Sequence, residues 1–178
     1  MHSAPAYFLK TARLGFRHWS VDDFPLAYVL WKDIQVTRFF GGPFSEEQIR
    51  ERLAREVASM RARGVQYWPI FSLADGDFAG CCGLRPYKSQ ERIYELGFHL
   101  RPPCWGKGFA MESARAVIVL AYESLGAEAL FAGHHPENFA SQKVLGKLGF
   151  HFTHEELYAP TGEMHRCYIL RSSAASSR

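Results

Sequence analysis

Glu95, His99, Lys107 and two glycines share one stretch, Glu95-Leu96-Gly97-Phe98-His99-Leu100-Arg101-Pro102-Pro103-Cys104-Trp105-Gly106-Lys107-Gly108-Phe109-Ala110. Its pattern is a strand, a glycine-bearing turn and the start of a helix. The first N–H groups of a helix lack intrahelical acceptors and carry the positive end of its dipole, so such a turn binds anions. Gly106 and Gly108 let the backbone close on a phosphate without Cβ clashes, and Lys107 adds a cation. The same residues equally suit a tight turn that uses its glycines for geometry alone. Two familiar phosphate motifs are excluded. A P-loop needs Ser or Thr after its lysine, where this chain has Gly108. The dinucleotide fingerprint needs a third glycine where Met111 stands. On the strand, Glu95 shares parity with Gly97 and His99, which makes the carboxylate and the imidazole candidates for moving a proton. Each also has a structural reading, a salt-bridged carboxylate and a packed strand histidine.

The elements that must position these groups follow from periodicity and caps. Arg13–His18 reads as a first strand. Ser20 is an N-cap with Asp22 and Asp23 in the first turn, opening a helix through Trp31. Gly41-Gly42-Pro43 breaks the chain into a loop, and Phe39, Phe40 or Phe44 beside it are candidates to wall a pocket. Ser45 and Gln48 form a capping box for a helix that runs to about Arg63 and stops at Gly64, with Ile49, Leu53, Val57 and Met60 on one face. Tyr67–Leu73 and Phe78–Leu84 are strands joined at Asp75-Gly76, and Tyr94–Leu100 is another. A helix spans Phe109–Leu125, a strand Ala129–Gly133, and a second helix opens at Pro136-Glu137-Asn138 and ends near Gly149. His151–Tyr158 and Glu163–Leu170 form the last pair of strands. The order β-α-α-β-β-β-α-β-α-β-β is a mixed α/β fold of about seven strands and about four helices.

The 178 residues fit one domain able to bury its own core, with 47% hydrophobic and 22% charged residues. Residues 1–10 read as an N-terminal extension, 11–171 as a single domain and 172–178 as a frayed tail. Twenty-one basic against 18 acidic residues give a net charge of +3, too small and too dispersed for a nucleic-acid partner. The longest apolar run, Ala116–Tyr122, is far short of a membrane span, and Met1–Pro5 carries no basic segment leading into an apolar core. The four cysteines include no C-x-x-C pair, and Cys81 and Cys82 alternate faces on a strand. Reduced thiols and a cytoplasmic location are expected. His134, His135, His151 and His154 match no metal-ligand spacing, so no metal is expected.

A second segment decides between the two readings of the glycine turn. Leu130-Phe131-Ala132-Gly133-His134-His135-Pro136-Glu137-Asn138-Phe139-Ala140-Ser141 leads through a helix to Leu148-Gly149-Phe150. Trp105-Gly106-Lys107-Gly108-Phe109-Ala110-Met111-Glu112 resembles the W-G-K-G-[YF]-A-x-E signature, and Pro136-Glu137-Asn138 with Ser141 the P-x-N-x-x-S signature, of the RimJ/RimL-like branch of the GNAT superfamily of N-acetyltransferases. The resemblance covers roughly residues 11–170. It implies a twisted mixed sheet splayed between its fourth and fifth strands, with acetyl-CoA as co-substrate in the split and a primary amine, of a protein N-terminus or a small molecule, as acceptor. It also implies roles. Backbone N–H groups of Trp105, Gly106, Lys107, Gly108, Phe109 and Ala110 would hold the CoA pyrophosphate. The strand end from Phe98 to Leu100 would pair with the pantetheine arm, and Asn138 would hydrogen-bond the same arm, with Ser141 on its helix face.

The chain departs from the family pattern twice. Pro103 stands where the phosphate loop usually opens with Gln or Arg. Leu145 stands where many members place a tyrosine that protonates the leaving thiolate, and Ser141 is the nearest substitute. Amine acetylation also needs a base, since an aliphatic amine is protonated at neutral pH. Glu95 is the first candidate and His99 the second. Glu112, on the helix, reads as structural or substrate-orienting. Asp22 and Asp23 read as first-turn acids rather than amine ligands. The expected activity is direct acetyl transfer in a ternary complex by a monomer or homodimer. The rival is a non-catalytic acyl-CoA-binding module that has lost its acid.

Overall fold

The computed structural model describes residues 7–172. Residues 1–6, and the tail beyond Ser172, on which the readings of a leaderless start and a frayed end rest, lie outside the described residues. The elements are β1 (Leu9–Lys10), β2 (Leu14–Phe16), α1 (Phe24–Trp31), α2 (Ile34–Thr37), α3 (Glu46–Arg63), β3 (Tyr67–Ser72), β4 (Phe78–Lys88), β5 (Ile93–Leu100), α4 (Phe109–Glu123), β6 (Ala129–His134), α5 (Phe139–Lys147), β7 (His151–Tyr158) and β8 (Glu163–Arg171).

Local chemistry sets many of the ends. The Ser45 side chain accepts from the Gln48 N–H, the Gln48 side chain accepts back from the Ser45 N–H at 2.8 Å, and Gly64 stops α3 at φ +71°. Ser20 caps a 3-10 turn, Val21–Asp23, that feeds α1. Asp23 and Arg17 pair at 2.6 Å, so this acid serves the helix entry, as its first-turn position predicts.

The eight strands form one sheet in the order β1-β2-β3-β4-β5-β6-β8-β7. Every neighbouring pair is antiparallel except β5 and β6, whose parallel pairing requires the crossover through α4. That parallel contact is short. Ile93, Tyr94 and Glu95 pair with Ala129, Leu130 and Phe131, and the register then ends. β4 holds β5 as far as Leu100, while β8 holds β6 as far as His134. The two strands diverge beyond Glu95 and Phe131, and the sheet is split there, between the strands that the sequence reading numbered fourth and fifth.

The sheet is covered on both faces. On one, Trp68, Leu84, Leu96 and Leu130 pack with Phe109, Val117 and Ala121 of α4 and Leu145 of α5. On the other, Tyr67, Phe71 and Cys81 pack with Leu30 and Trp31 of α1 and Ile49, Leu53 and Val57 of α3. Cys82 falls in the first core and Cys81 in the second, as strand alternation requires. All four cysteines are unpaired, and burial pushes the Cys82 thiol up to about 12 and leaves the Cys81 thiol higher still. Neither is a nucleophile at neutral pH.

The structure corrects the sequence reading in four places. The described residues hold eight strands rather than about seven, because Leu9–Lys10 pairs with Phe16 and Gly15. They hold five α-helices rather than about four, because Asp33 caps the single turn of α2 by accepting from the Gln35 N–H. β4 runs to Lys88, past Pro86, with an irregularity between Pro86 and Lys88. α4 ends at Glu123, two residues before Leu125.

Candidate active site

The split opens into a cavity of about 920 Å³ between β5, β6, α5 and the N-terminus of α4, continuing under α2 and α3. Strand geometry decides what β5 presents to it. The Arg101 N–H donates to Ala79 O across β4, so the odd-numbered residues of β5 aim their backbone groups at β4. The even-numbered residues aim theirs at the split, and past the Glu95–Phe131 pairing β6 leaves Phe98 and Leu100 without a strand partner. Phe98 therefore offers both its N–H and its C=O. The Leu100 carbonyl is engaged, accepting from the Trp105 indole at 2.8 Å.

The glycine turn closes one end of the cavity. Gly106 and Gly108 adopt φ of +74° and +80°, and Gly108 caps α4 without a side-chain cap. A Cβ on Gly106 would point into open space, so its glycine is required by conformation rather than crowding. Trp105 departs from the role assigned to it. Its N–H donates to Pro102 O at 3.1 Å, so the backbone donors facing an anion begin at Gly106. Glu112 is a tether and does not line the cavity. It accepts from Thr11 Oγ1 at 2.6 Å and from the Arg13 N–H at 2.9 Å and pairs with the Arg13 guanidinium, which also donates to Lys107 O. Burial alone would raise its pKa, but these bonds outweigh that and hold the Glu112 carboxyl below its ordinary value. The turn is thus tied to β2 through Arg13.

The opposite end carries Glu95, and a gap between two glycines positions its neighbour. Gly83 of β4 lies opposite both Tyr67 and Gly97. The Tyr67 ring crosses Gly97 so closely that a Cβ there would sit 2.2 Å from the Tyr67 hydroxyl oxygen. That hydroxyl lies beside the Glu95 carboxylate and favours its ionised form. Burial is nonetheless the largest influence on Glu95 and raises its pKa, against the pull of Arg85, Tyr67 and Arg52. Tyr67 is held by its own neighbours. Its N–H donates to Glu56 at 2.8 Å, its carbonyl accepts from the Trp19 indole, and the Arg85 guanidinium lies 4.2 Å from its ring. Gly97→Ala is expected to push the Tyr67 hydroxyl off Glu95, lowering kcat/KM by about tenfold or more and costing roughly 1–3 kcal/mol of stability through overpacking. Tyr67→Phe should reproduce the kinetic loss without the overpacking. Full activity in both variants would detach Tyr67 from the site.

His99 lies on the same face, but its geometry removes it as a base. The Trp31 indole, a donor only, approaches His99 Nδ1 at 3.3 Å, so the neutral ring carries its proton on Nε2. Burial, then Arg52 and Arg85, hold its pKa well below the usual value. The ring is stacked on Phe40 at 4.3 Å. This histidine is a packed donor. On α5, the Asn138 side chain accepts from the Ser141 N–H at 3.1 Å, which caps the helix and leaves its amide N–H groups for a ligand. Ser141 is half-buried at the cavity wall. Leu145, 2% exposed, fills the core at the position where a tyrosine would have supplied a hydroxyl.

The comparisons with known proteins follow this geometry. A family profile described as an acetyltransferase (GNAT) domain matches residues 13–151. The chain belongs to the GNAT acetyltransferase family. It is 27% identical over 144 residues to the uncharacterized N-acetyltransferase p20 of Bacillus licheniformis, covering 80% of this chain and 81% of that one. It is 29% identical over 160 residues to the FsC-acetyl coenzyme A-N(2)-transacetylase of Aspergillus fumigatus, covering 84% and 64%. The crystal structure of a GNAT acetyltransferase from Bacillus anthracis superimposes with a TM-score of 0.79 at 22% identity, covering 91% of this chain and 96% of that one. RimL, a ribosomal L7/L12 alpha-N-protein acetyltransferase in complex with coenzyme A, shares the fold at a TM-score of 0.79 and 17% identity, covering 95% and 99%.

For a GNAT acetyltransferase the acyl donor is acetyl-CoA, and this chain's residues fit it. The open β5 edge suits an extended arm bearing amides, the turn at Gly106–Gly108 suits a pyrophosphate, and Arg115, Lys143 and Lys147 add cations along the same wall. Several residues of the site carried no signal in the sequence. Arg52 of α3 and Glu156 of β7 reach the cavity from elements remote in the chain. Glu56, 2% exposed, pairs with Arg85 at 2.5 Å behind Tyr67. Of the three phenylalanines offered as pocket walls, Phe39 and Phe40 line the cavity and Phe44 packs behind Phe40. Among the described residues, one group of potential metal ligands, His154, Glu156 and Cys167, falls within 4.8 Å, with His154 and Glu156 exposed and Cys167 buried.

Proposed function

We propose that this GNAT acetyltransferase transfers the acetyl group to a primary amine by direct attack, with Glu95 as the base and Ser141 as the hydroxyl nearest the leaving sulfur. The observation that carries this is the placement of Glu95 at the last residue of β5 that pairs with β6, where the sheet begins to split. A carboxylate at that point shares the cavity with both the donor arm and the acceptor. When bound, acetyl-CoA supplies an activated thioester carbonyl. Glu95 then has one task, to take a proton from the acceptor's ammonium directly or through one water. Its raised pKa brings the carboxylate closer to the pKa of the amine it must deprotonate. The Tyr67 hydroxyl orients it. Ser141, on the α5 face shared with Asn138, can donate a hydrogen bond where charge builds on sulfur, in the absence of a hydroxyl at Leu145.

The test is release of free CoA thiol against a broad amine panel, with acetylated product identified by mass. Turnover of an amine supports the reading. Tight acetyl-CoA binding with no turnover of any amine would favour a non-catalytic acyl-CoA-binding module. Ser141→Ala is expected to lower kcat with little change in acetyl-CoA affinity, and an unchanged kcat would give the proton to water or to the amine. Asn138→Ala should raise KM for acetyl-CoA and also lose about 1 kcal/mol of stability, since its oxygen caps α5. We place the enzyme in the cytoplasm on its unpaired cysteines. Among the described residues no helix is long and apolar enough to cross a membrane.

A further inference from the structure

The acceptor end of the cavity holds a cation that the roles above leave unused. Arg52 projects from α3, and its guanidinium lies 4.7 Å from the Trp31 ring, 5.4 Å from Phe40 and 5.7 Å from Phe44. Its Nε is sealed from solvent and has no hydrogen-bond partner among the described residues. Aromatic faces offset part of the cost of burying a guanidinium, but they accept none of its N–H donors. The nearby carboxylates do not supply that acceptor. Glu56 is committed to Arg85 and to the Tyr67 N–H. Glu95 feels Arg52 only through space, and the two make no ion pair. Arg52 stands over Phe40, the ring stacked on His99, which places it at the acceptor end, away from the Gly106–Gly108 turn. Burial, then Arg85, lowers the Arg52 pKa, and Glu56 opposes them.

A half-buried guanidinium and a carboxylate that face one cavity without an ion pair between them are the complement of a zwitterion. We infer that the acceptor is a small amine bearing a carboxylate, its ammonium directed to Glu95 and its carboxylate held by Arg52. This rests on the acetyl-transfer reading and specifies its substrate class. The planar fork of an arginine suits a carboxylate in two-point contact, and the rings of Trp31 and Phe40 hold it in place. A neutral amine or an amide would leave the guanidinium without an ionic partner, which is the basis for disfavouring them.

The experiment uses matched sets of acceptors with full-length enzyme and acetyl-CoA. Each set comprises an α-, β- or γ-amino acid, its carboxamide and its decarboxylated amine, and short peptide amides are added as a fourth class. The amino acid is expected to exceed its carboxamide in kcat/KM by roughly 10- to 100-fold. Arg52→Met keeps the length and the packing on the rings. Measured above the pKa of Glu95, which the loss of Arg52 raises, it should remove that preference through KM for the amino acid while changing the carboxamide far less and leaving the acetyl-CoA Kd unchanged, and Arg52→Lys should restore part of it. Equal turnover across a set, or preference for the carboxamides, decarboxylated amines or peptide amides, overturns the inference. So does an equal loss for amino acid and carboxamide in Arg52→Met, which would make Arg52 a packing residue. If no acceptor turns over, the acetyl-transfer reading fails separately. Calorimetric titration of the amino acids into the CoA-bound protein then decides the carboxylate site, with Arg52-dependent binding supporting it and no binding overturning it.

Discussion

Gly108→Asp is expected to abolish acetyl-CoA binding while leaving the protein folded. Gly108 occupies the left-handed region at φ +80°, where Asp is among the more tolerated non-glycine residues. An Asp charge also complements the dipole of α4 and lies toward the Arg13 guanidinium, which protects the fold. The same negative charge stands in the turn that a pyrophosphate must approach, and it opposes the ligand electrostatically. In the wild-type protein, acetyl-CoA at a hundredfold excess over Kd should stabilise the fold by roughly 2.7 kcal/mol. The variant should show no ligand-dependent rise in Tm and an apo Tm close to that of wild type. Gly108→Ala is the control. Its Cβ would lie 3.4 Å from the Arg13 guanidinium, an ordinary contact, so it pays only the backbone strain and keeps measurable affinity. An unchanged acetyl-CoA Kd in Gly108→Asp, with the fold intact, would remove the turn from the site.

Glu95→Gln should lower kcat/KM by at least about tenfold near neutral pH, within the ~10²–10⁴-fold typical of a general base. The variant keeps the size of the side chain and its hydrogen-bonding capacity beside Tyr67, so a packing role alone predicts little loss. The pH dependence carries the sign. A base must be deprotonated to act, so wild-type activity declines as pH falls through the raised pKa of Glu95. Glu95→Gln lacks that acid limb. Its deficit should shrink as pH rises toward the pKa of the acceptor amine, where free amine no longer needs a base. A variant with the wild-type pH–rate profile would exclude Glu95. Glu156→Gln, rather than a His99 variant, would then be the next measurement, since Glu156 faces the same cavity while the Trp31 indole occupies the basic nitrogen of His99.

Near neighbours in sequence determined much of this protein. The Ser45 and Gln48 cap, the stop at Gly64, the opposed faces of Cys81 and Cys82 and the strand–turn–helix around Gly106 and Gly108 depend on residues a few positions apart, whose signals are readable without knowledge of the rest of the chain. The two signatures, Trp105–Glu112 and Pro136–Ser141, are legible for the same reason. What the tertiary structure decided is the acceptor end, which is assembled from separated segments. Gly97 is a glycine because Tyr67, thirty positions earlier, crosses it two strands away. Glu112 is a tether because β2 brings Thr11 and Arg13 to the first turn of α4. His99 loses its role as a base to the indole of Trp31, and Arg52 enters the cavity because α3 packs over the face of β5 that carries Glu95 and His99. Helical and strand periods mark such residues as facing inward. Which buried polar group meets which is fixed by strand register and helix packing, and neither is encoded in any local window.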